Sequence, residues 1–252
     1  MLPGAEPFSH DGRDVGVLLC HGFTGCPQSL RGWAEQLAAA GYSVRLPLLP
    51  GHGTTWQEMN RTRWTDWYGC VEAALADLRS RCRSVVVGGL SMGGALALRL
   101  AEQHGDDVAG LVLVNPAVKA EDRRLALVPV LRFVVPSTPG IASDIARPGV
   151  TELAYDRTPL HATHSMLQLW RVVVADLPRV TQPVLIFRSP SDHVVPASST
   201  ALVKERIGST DVTEVLCEDS HHVATLDHDA ERIVQGTLAF VERVVAEQEA
   251  PR

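Results

Sequence analysis

The sequence predicts an α/β domain: a mostly parallel central sheet flanked by helices, with one inserted cap. Three observations predict it. Short apolar, β-branched runs alternate with helix-period stretches along most of the chain, the order produced by a parallel sheet with crossover helices. The stretch 117–176 breaks that rhythm with five prolines (Pro129, Pro136, Pro139, Pro148 and Pro159) and no continuous strand pattern. The length of 252 residues, 45% of them hydrophobic, suffices to bury one large core without staples.

Each element follows in order. Val15-Gly-Val-Leu-Leu-Cys20 is an unbroken apolar run that stops at His21-Gly22, as a buried strand does. Leu30, Trp33, Ala34 and Leu37 recur at helical spacing, and Gly41 closes that helix. Tyr42–Leu46 is the next strand, and Pro47 with Pro50-Gly-His-Gly53 forces a loop after it. Trp67, Val71, Ala74, Leu75 and Leu78 mark a helix over 64–81. Ser84–Gly88 is the third strand, followed by an Ala- and Leu-rich helix over 95–103. Gly110–Asn115, Pro183–Arg188 and Val212–Cys217 are three further strands, and Ala230–Glu247 is the closing helix. The expected division is therefore a core of residues 1–116 and 177–252 and a cap of residues 117–176.

Composition excludes several classes. With 23 basic and 29 acidic side chains the net charge is −6, against a nucleic-acid partner or a polybasic membrane anchor. Five cysteines (Cys20, Cys26, Cys70, Cys82, Cys217) are odd in number, scattered and without a C-x-x-C pair. Reduced, packed thiols in a cytoplasmic protein are expected. Residues 1–10 show no cationic or apolar signal-peptide pattern, and no run is long enough to span a membrane.

The chemistry centres on Gly89-Leu-Ser-Met-Gly93, a G-x-S-x-G pattern that ends a valine strand and opens a helix. That context makes it a nucleophile elbow, whose glycines allow a turn too tight for side chains two residues before and after the serine. A serine hydroxyl needs a base, and the base a carboxylate to orient it. In this architecture the order is serine, acid, histidine, each at the carboxyl end of a strand. Asp192 fits the acid, whereas Asp176 and Asp211 precede strands and do not. His221 and His222 both follow the last strand, and the residues alone leave the choice between them open. The backbone N–H of Met92 is one oxyanion donor and that of Phe23, in the loop His21-Gly-Phe-Thr-Gly25, is the second.

Taken together, His21-Gly-Phe-Thr-Gly25, Gly51-His-Gly53, Gly89-Leu-Ser-Met-Gly-Gly94, Ser191-Asp-His-Val-Val-Pro196 and Ser220-His-His-Val-Ala-Thr-Leu-Asp227 resemble the small bacterial carboxylesterases and monoacylglycerol lipases of the α/β-hydrolase superfamily. The resemblance runs from about Val15 to Glu247 and is weakest in the cap. It implies the α/β-hydrolase fold, Ser91 as nucleophile, Asp192 as orienting acid, and His222 as base, because the family's histidine directly precedes the valine of H-V-x-T-L-D. His221 stands where the family often has a small residue, and the cap residues do not carry over. The expected activity is hydrolysis of short-to-medium acyl esters or monoacylglycerols through an acyl-enzyme, with no cofactor, no metal, no nucleic acid, and at most peripheral lipid contact through the cap. The same triad also serves thioesterases, perhydrolases and carbon–carbon hydrolases, and the fold serves ligand-binding receptors; these are the rival readings.

Other signals are set aside. Gly51-His-Gly-Thr-Thr-Trp56 lacks a third glycine for a dinucleotide loop, Gly88–Gly94 lacks the Lys-Ser or Lys-Thr of a phosphate loop, and His161 and His164 have no carboxylate at helical spacing. The apolar segment 125–135 reads either as ordinary core or as an exposed greasy rim.

Overall fold

The computed structural model describes residues 1–140 and 143–249; residues 141, 142 and 250–252, which fall within the expected cap and core, lie outside the described residues. The main sheet contains β1 (Phe8–His10), β2 (Arg13–Cys20), β3 (Tyr42–Leu46), β4 (Ser84–Leu90), β5 (Gly110–Val114), β8 (Val184–Arg188) and β9 (Val212–Leu216), in the order β1-β3-β2-β4-β5-β8-β9. Between β5 and β8 a small antiparallel ribbon is formed by β6 (Ser137–Pro139) and β7 (Arg157–Pro159). Only β1 runs antiparallel in the main sheet, beside β3.

The unbroken apolar strands have a direct cause: both faces of the sheet are covered. Leu18, Val85, Val87, Leu111, Leu113, Val184 and Ile186 face one buried cluster. Their neighbours Val17, Leu19, Val86, Val112, Val114, Leu185 and Phe187 face the other. The first cluster is closed by α3 (Trp64–Arg79), α4 (Met92–His104) and α6 (Leu160–Asp176), and the second by α1 (Arg31–Ala39) and α8 (Ala230–Glu249). Period-2 alternation therefore vanishes from β2, β4, β5 and β8, because alternate side chains meet equally apolar layers.

All six expected strands lie in the sheet, with small changes at their ends. β4 continues to Leu90 because Gly88 and Gly89 keep pairing with Val112 and Leu113 of β5. Outside the insert, three of the labelled elements have no readable sequence signal. β1 is three residues long and mostly exposed; α2 (Trp56–Met59) is a single turn; and α7 (Ala197–Arg206) buries mainly Ser199, Thr200 and Val203, too few apolar positions to make a stripe.

The insert between β5 and β8 holds α5 (Val128–Leu131), the β6–β7 ribbon and α6. Along α6, Leu169 and Val173 are fully buried in the core cluster they share with Leu96 and Leu100 of α4. Asp176, at its end, accepts from Arg99 of α4 at 2.6 Å. α6 thus packs one face into the core although it belongs to the insert.

Parallel register fixes where the loops emerge. Cys20 pairs with Gly89, Leu90 with Val114, Val114 with Phe187, and Arg188 with Leu216. The segments beginning at His21, Ser91, Asn115, Ser189 and Cys217 consequently leave the sheet along one edge, the carboxyl edge at which open α/β sheets place their ligands.

Candidate active site

Ser91 sits between the last residue of β4 and the first of α4, with φ 56° and ψ −119°. The left-handed backbone is disfavoured for a residue with a Cβ, and the surroundings impose it. Ser91 N–H donates to Val114 O at 3.0 Å, and its carbonyl accepts from Gly94 N at 2.9 Å and Ala117 N at 3.1 Å. The flanking glycines are required sterically: a Cβ on Gly89 would stand 2.2 Å from Gly93 O, and one on Gly93 would stand 1.9 Å from Cys20 O. The side chain is thereby presented at the N-terminus of α4, where helix N–H groups favour negative charge.

Asp192 and His222 meet above the sheet edge. His222 Nδ1 lies 2.7 Å from Asp192 Oδ2, and both side chains are nearly buried. Asp192 Oδ1 is held by the N–H groups of Val194 and Val195, each at 2.8 Å. With Nδ1 engaged by the carboxylate, Nε2 is the ring nitrogen left for a substrate or a serine. His221 turns away from this pair; its Nδ1 lies 3.3 Å from Asp144 Oδ1. Asp176 and Asp211 instead pair with Arg99 and Arg243.

Ser91 and His222 share the wall of a cavity of about 220 Å³ with Gly22, Phe23 and Thr24 of the loop after β2. That loop presses on the serine: a methyl on Gly22 would touch Ser91 Cβ at 3.5 Å. Behind it, His21 Nε2 accepts from Leu49 N at 3.1 Å and its Nδ1 faces Gly22 O at 3.0 Å. Burial lowers the His21 pKa to about 4 and lowers that of His52, whose ring stands edge-on 5.1 Å away. Both imidazoles are therefore neutral braces for the loop.

The rest of the lining is mixed. Leu125, Met166, Trp170, Val194 and Val195 contribute apolar surface, and Lys119, Asp122, Ser143, Asp144 and Glu152 contribute polar groups. Burial raises the pKa of Glu152, against the opposing influence of His222. A larger groove of about 630 Å³ adjoins the cavity, sharing Ala120, Asp122, Leu125 and Trp170 with it. Beside it, Leu127, Val130, Leu131, Phe133, Val134 and Val135 are exposed, with Val130, Phe133 and Val134 at 72%, 70% and 75%.

Several residues that hold the site together went unread in the sequence. Asn115, with φ 43°, closes β5 and donates from Nδ2 to His222 O at 2.8 Å, while its Oδ1 accepts from Ser189 N at 2.8 Å. Asp227 accepts from the N–H groups of Ala146, Arg147, His221 and His228. Asp144 accepts from the N–H groups of His193 and His222 and from the His193 ring. Burial opposes ionisation of Asp144, yet these donors hold its carboxyl below the ordinary range. Asp227 stood inside a motif and so had a signal; Asp144 had none, because its partners are distant in the chain. His161 and His164 join no third ligand among the described residues.

A family model described as the alpha/beta hydrolase family matches residues 17–235. The chain is 44% identical to a thermostable monoacylglycerol lipase of Bacillus sp. (strain H-257), over 95% of each chain. It is 25% identical to a carboxylesterase of Bacillus subtilis (strain 168), over 95% of this chain and 97% of that one. Among solved structures it superposes with a TM-score of 0.94 and 44% identity on a metagenome-derived lipolytic enzyme from the pair LipS and LipT, over 96% of this chain and 99% of that one.

The neutral buried imidazole of His21 carries a pH consequence. Its pKa in the fold, about 4, lies below the ordinary 6.5, so unfolding takes up a proton between those values. The stability it contributes is complete above pH 6.5 and drains as pH falls toward 4, on the order of 3 kcal/mol in all. Urea melts from pH 7 to 4.5 are expected to show a shallower loss for His21→Gln than for the parent chain.

Proposed function

The chain belongs to the alpha/beta hydrolase family, and we propose that it is a serine carboxylic-ester hydrolase acting on monoacylglycerols or short-to-medium acyl esters. The observation that carries this reading is the 2.7 Å contact of His222 with Asp192 on the wall of the cavity that also contains Ser91 at its elbow.

The reaction proceeds in two halves. Ser91 Oγ attacks the ester carbonyl carbon while His222 Nε2 takes the hydroxyl proton, and Asp192 holds the imidazole in the tautomer that leaves Nε2 free and then stabilises the imidazolium. The carbonyl oxygen becomes an oxyanion facing the N–H groups of Phe23 and Met92. Collapse of the intermediate breaks the ester C–O bond, and His222 returns the proton to the departing alcohol, leaving an acyl group on Ser91. Water, deprotonated by His222, attacks that acyl carbon. The carboxylic acid leaves, and the proton returns to Ser91.

The cavity's polarity supports the substrate class. An acyl chain fits the apolar surface of Leu125, Met166 and Trp170 and the adjoining groove. The carboxyl of Glu152, also in the lining, offers a hydrogen-bonding group to a hydroxyl-bearing alcohol such as glycerol. Residues 117–176 act as the cap over a core of 1–116 and 177–252. The exposed apolar rim at 127–135 gives the cap peripheral contact with lipid aggregates, in keeping with an apolar patch rimmed by polar surface. No helix among the described residues is long and apolar enough to cross a membrane. All five cysteines are free thiols, which supports a cytoplasmic location.

Initial rates on p-nitrophenyl esters from acetate to palmitate test the reading. The rate is expected to peak at an intermediate chain length, to fall roughly a million-fold in kcat for Ser91→Ala or His222→Ala, and to change only a few-fold for His221→Ala. A severe His221→Ala defect with an active His222→Ala would reverse the assignment of the base. Absence of any Ser91-dependent rate would shift the reading to another triad chemistry or to a receptor.

The rim has its own test. Phe133→Ser with Val134→Ser is expected to lower turnover of micellar monoacylglycerol several-fold while leaving a soluble short-chain ester unaffected. An equal fall on both substrates would mean that the rim serves the cavity rather than a lipid surface.

A further inference from the structure

Asp144, His193 and His221 form a side-chain cluster whose two imidazoles take no part in the hydrolysis proposed above. They arrive from three segments: Asp144 from the insert, His193 from the loop after β8, and His221 from the loop after β9. Asp144 Oδ1 lies 2.8 Å from His193 Nδ1 and 3.3 Å from His221 Nδ1. One ligand atom from each residue lies within 4.8 Å of the other two. The two imidazoles stand edge to face, with centroids 4.7 Å apart at 88°.

A tetrahedral zinc ion with bonds of about 2.0–2.2 Å sets its nitrogen and oxygen ligands roughly 3.3–3.5 Å apart. The separations present, 2.8 and 3.3 Å from Asp144 Oδ1 with all three ligand atoms within 4.8 Å of one another, bracket that spacing. The carboxylate is already oriented for it. Asp144 Oδ2 accepts from His193 N at 3.0 Å and His222 N at 3.1 Å, and Asp144 O accepts from Val223 N at 3.1 Å. These bonds leave Oδ1 aimed at the two rings, the outer support that metal-ligating carboxylates use. Access is open: the His193 side chain is 64% exposed and that of His221 31%. Two imidazoles with one carboxylate suit zinc and its neighbours, whereas magnesium and calcium prefer all-oxygen sets.

We propose that Asp144, His193 and His221 bind one divalent ion of the zinc class per chain, with solvent in the fourth position. His193 directly follows Asp192 and His221 directly precedes His222, so a bound ion ties the insert to both loops that carry the acid–histidine pair. Each of the three ligands comes from a different loop. Binding therefore requires the folded chain, and the ion stabilises it by mass action.

The test is calorimetric titration of tag-free, chelator-treated protein with zinc(II), paired with thermal melts. The parent chain is expected to bind one ion at micromolar affinity or tighter. Its Tm is expected to rise by about 5 °C or more at ~100 times the dissociation constant. His193→Ala and His221→Ala are each expected to weaken binding by at least ~10-fold while keeping the metal-free Tm and ester turnover close to the parent's, which separates loss of a ligand from loss of the fold. His161→Ala, on a different surface, is expected to bind zinc like the parent. Failure of the parent chain to bind zinc stoichiometrically would overturn the proposal. So would unchanged zinc affinity in the His193→Ala, His221→Ala double variant.

Discussion

The contact between His222 and Asp192, 2.7 Å long and nearly out of solvent, is the interaction around which the carboxyl edge of the sheet is organised. Neither residue belongs to a regular element; each hangs on a loop that must be fixed in space before the two can meet. The fixing starts with the parallel register, which releases the loops after β2, β4, β5, β8 and β9 side by side. Asn115 then joins two of them, reaching Ser189 on one side and His222 on the other. The Asp192 carboxylate is spent on both tasks, one oxygen on its own loop and the other on the imidazole.

That arrangement costs backbone strain. Thr24, Ser91, Asn115 and Ser143 are the residues other than glycine with positive φ among those described, and each stands at the cavity or at the strand end that supports it. Conformations of this kind cost about 1–3 kcal/mol apiece and persist only where the surroundings over-determine them. Here the surroundings are a sheet buried on both faces and a set of ionised carboxylates, Asp144 and Asp227, that collect main-chain N–H groups from the insert and the histidine loop. The insert is thereby fastened to the loop it covers, and the cavity that both line carries apolar and polar groups.

The sequence carried much of this arrangement in short-range form. Four of the six expected strands, β2, β4, β5 and β8, read as continuous apolar runs because a doubly covered sheet leaves no polar alternation to obscure them, whereas β3 and β9 carry Arg45 and Glu214. The elbow was legible because Gly89 and Gly93 are demanded by contacts under 2.5 Å. What stayed illegible depends on distant pairs or on weak local pattern. β1 is too short and exposed to be patterned, α7 buries two hydroxyl residues and one valine as its inner face, and α6 reads as insert though it packs into the core. Asp144 looks like any loop aspartate until folding brings His193 and His222 to it. His221, left without a role by the motif, is explained by the same residue: it faces Asp144 and the His193 ring rather than Asp192.

The central claim is that the Asp192–His222 pair activates Ser91. A fluorophosphonate, which phosphonylates only an activated serine, tests it most directly, with intact-mass and peptide spectrometry as the readout. The account predicts one adduct per chain, located on Ser91, forming at least ~100-fold more slowly in His222→Ala and slowed also in Asp192→Asn. An adduct on another serine, or labelling of Ser91 at the parent rate without His222, would contradict it.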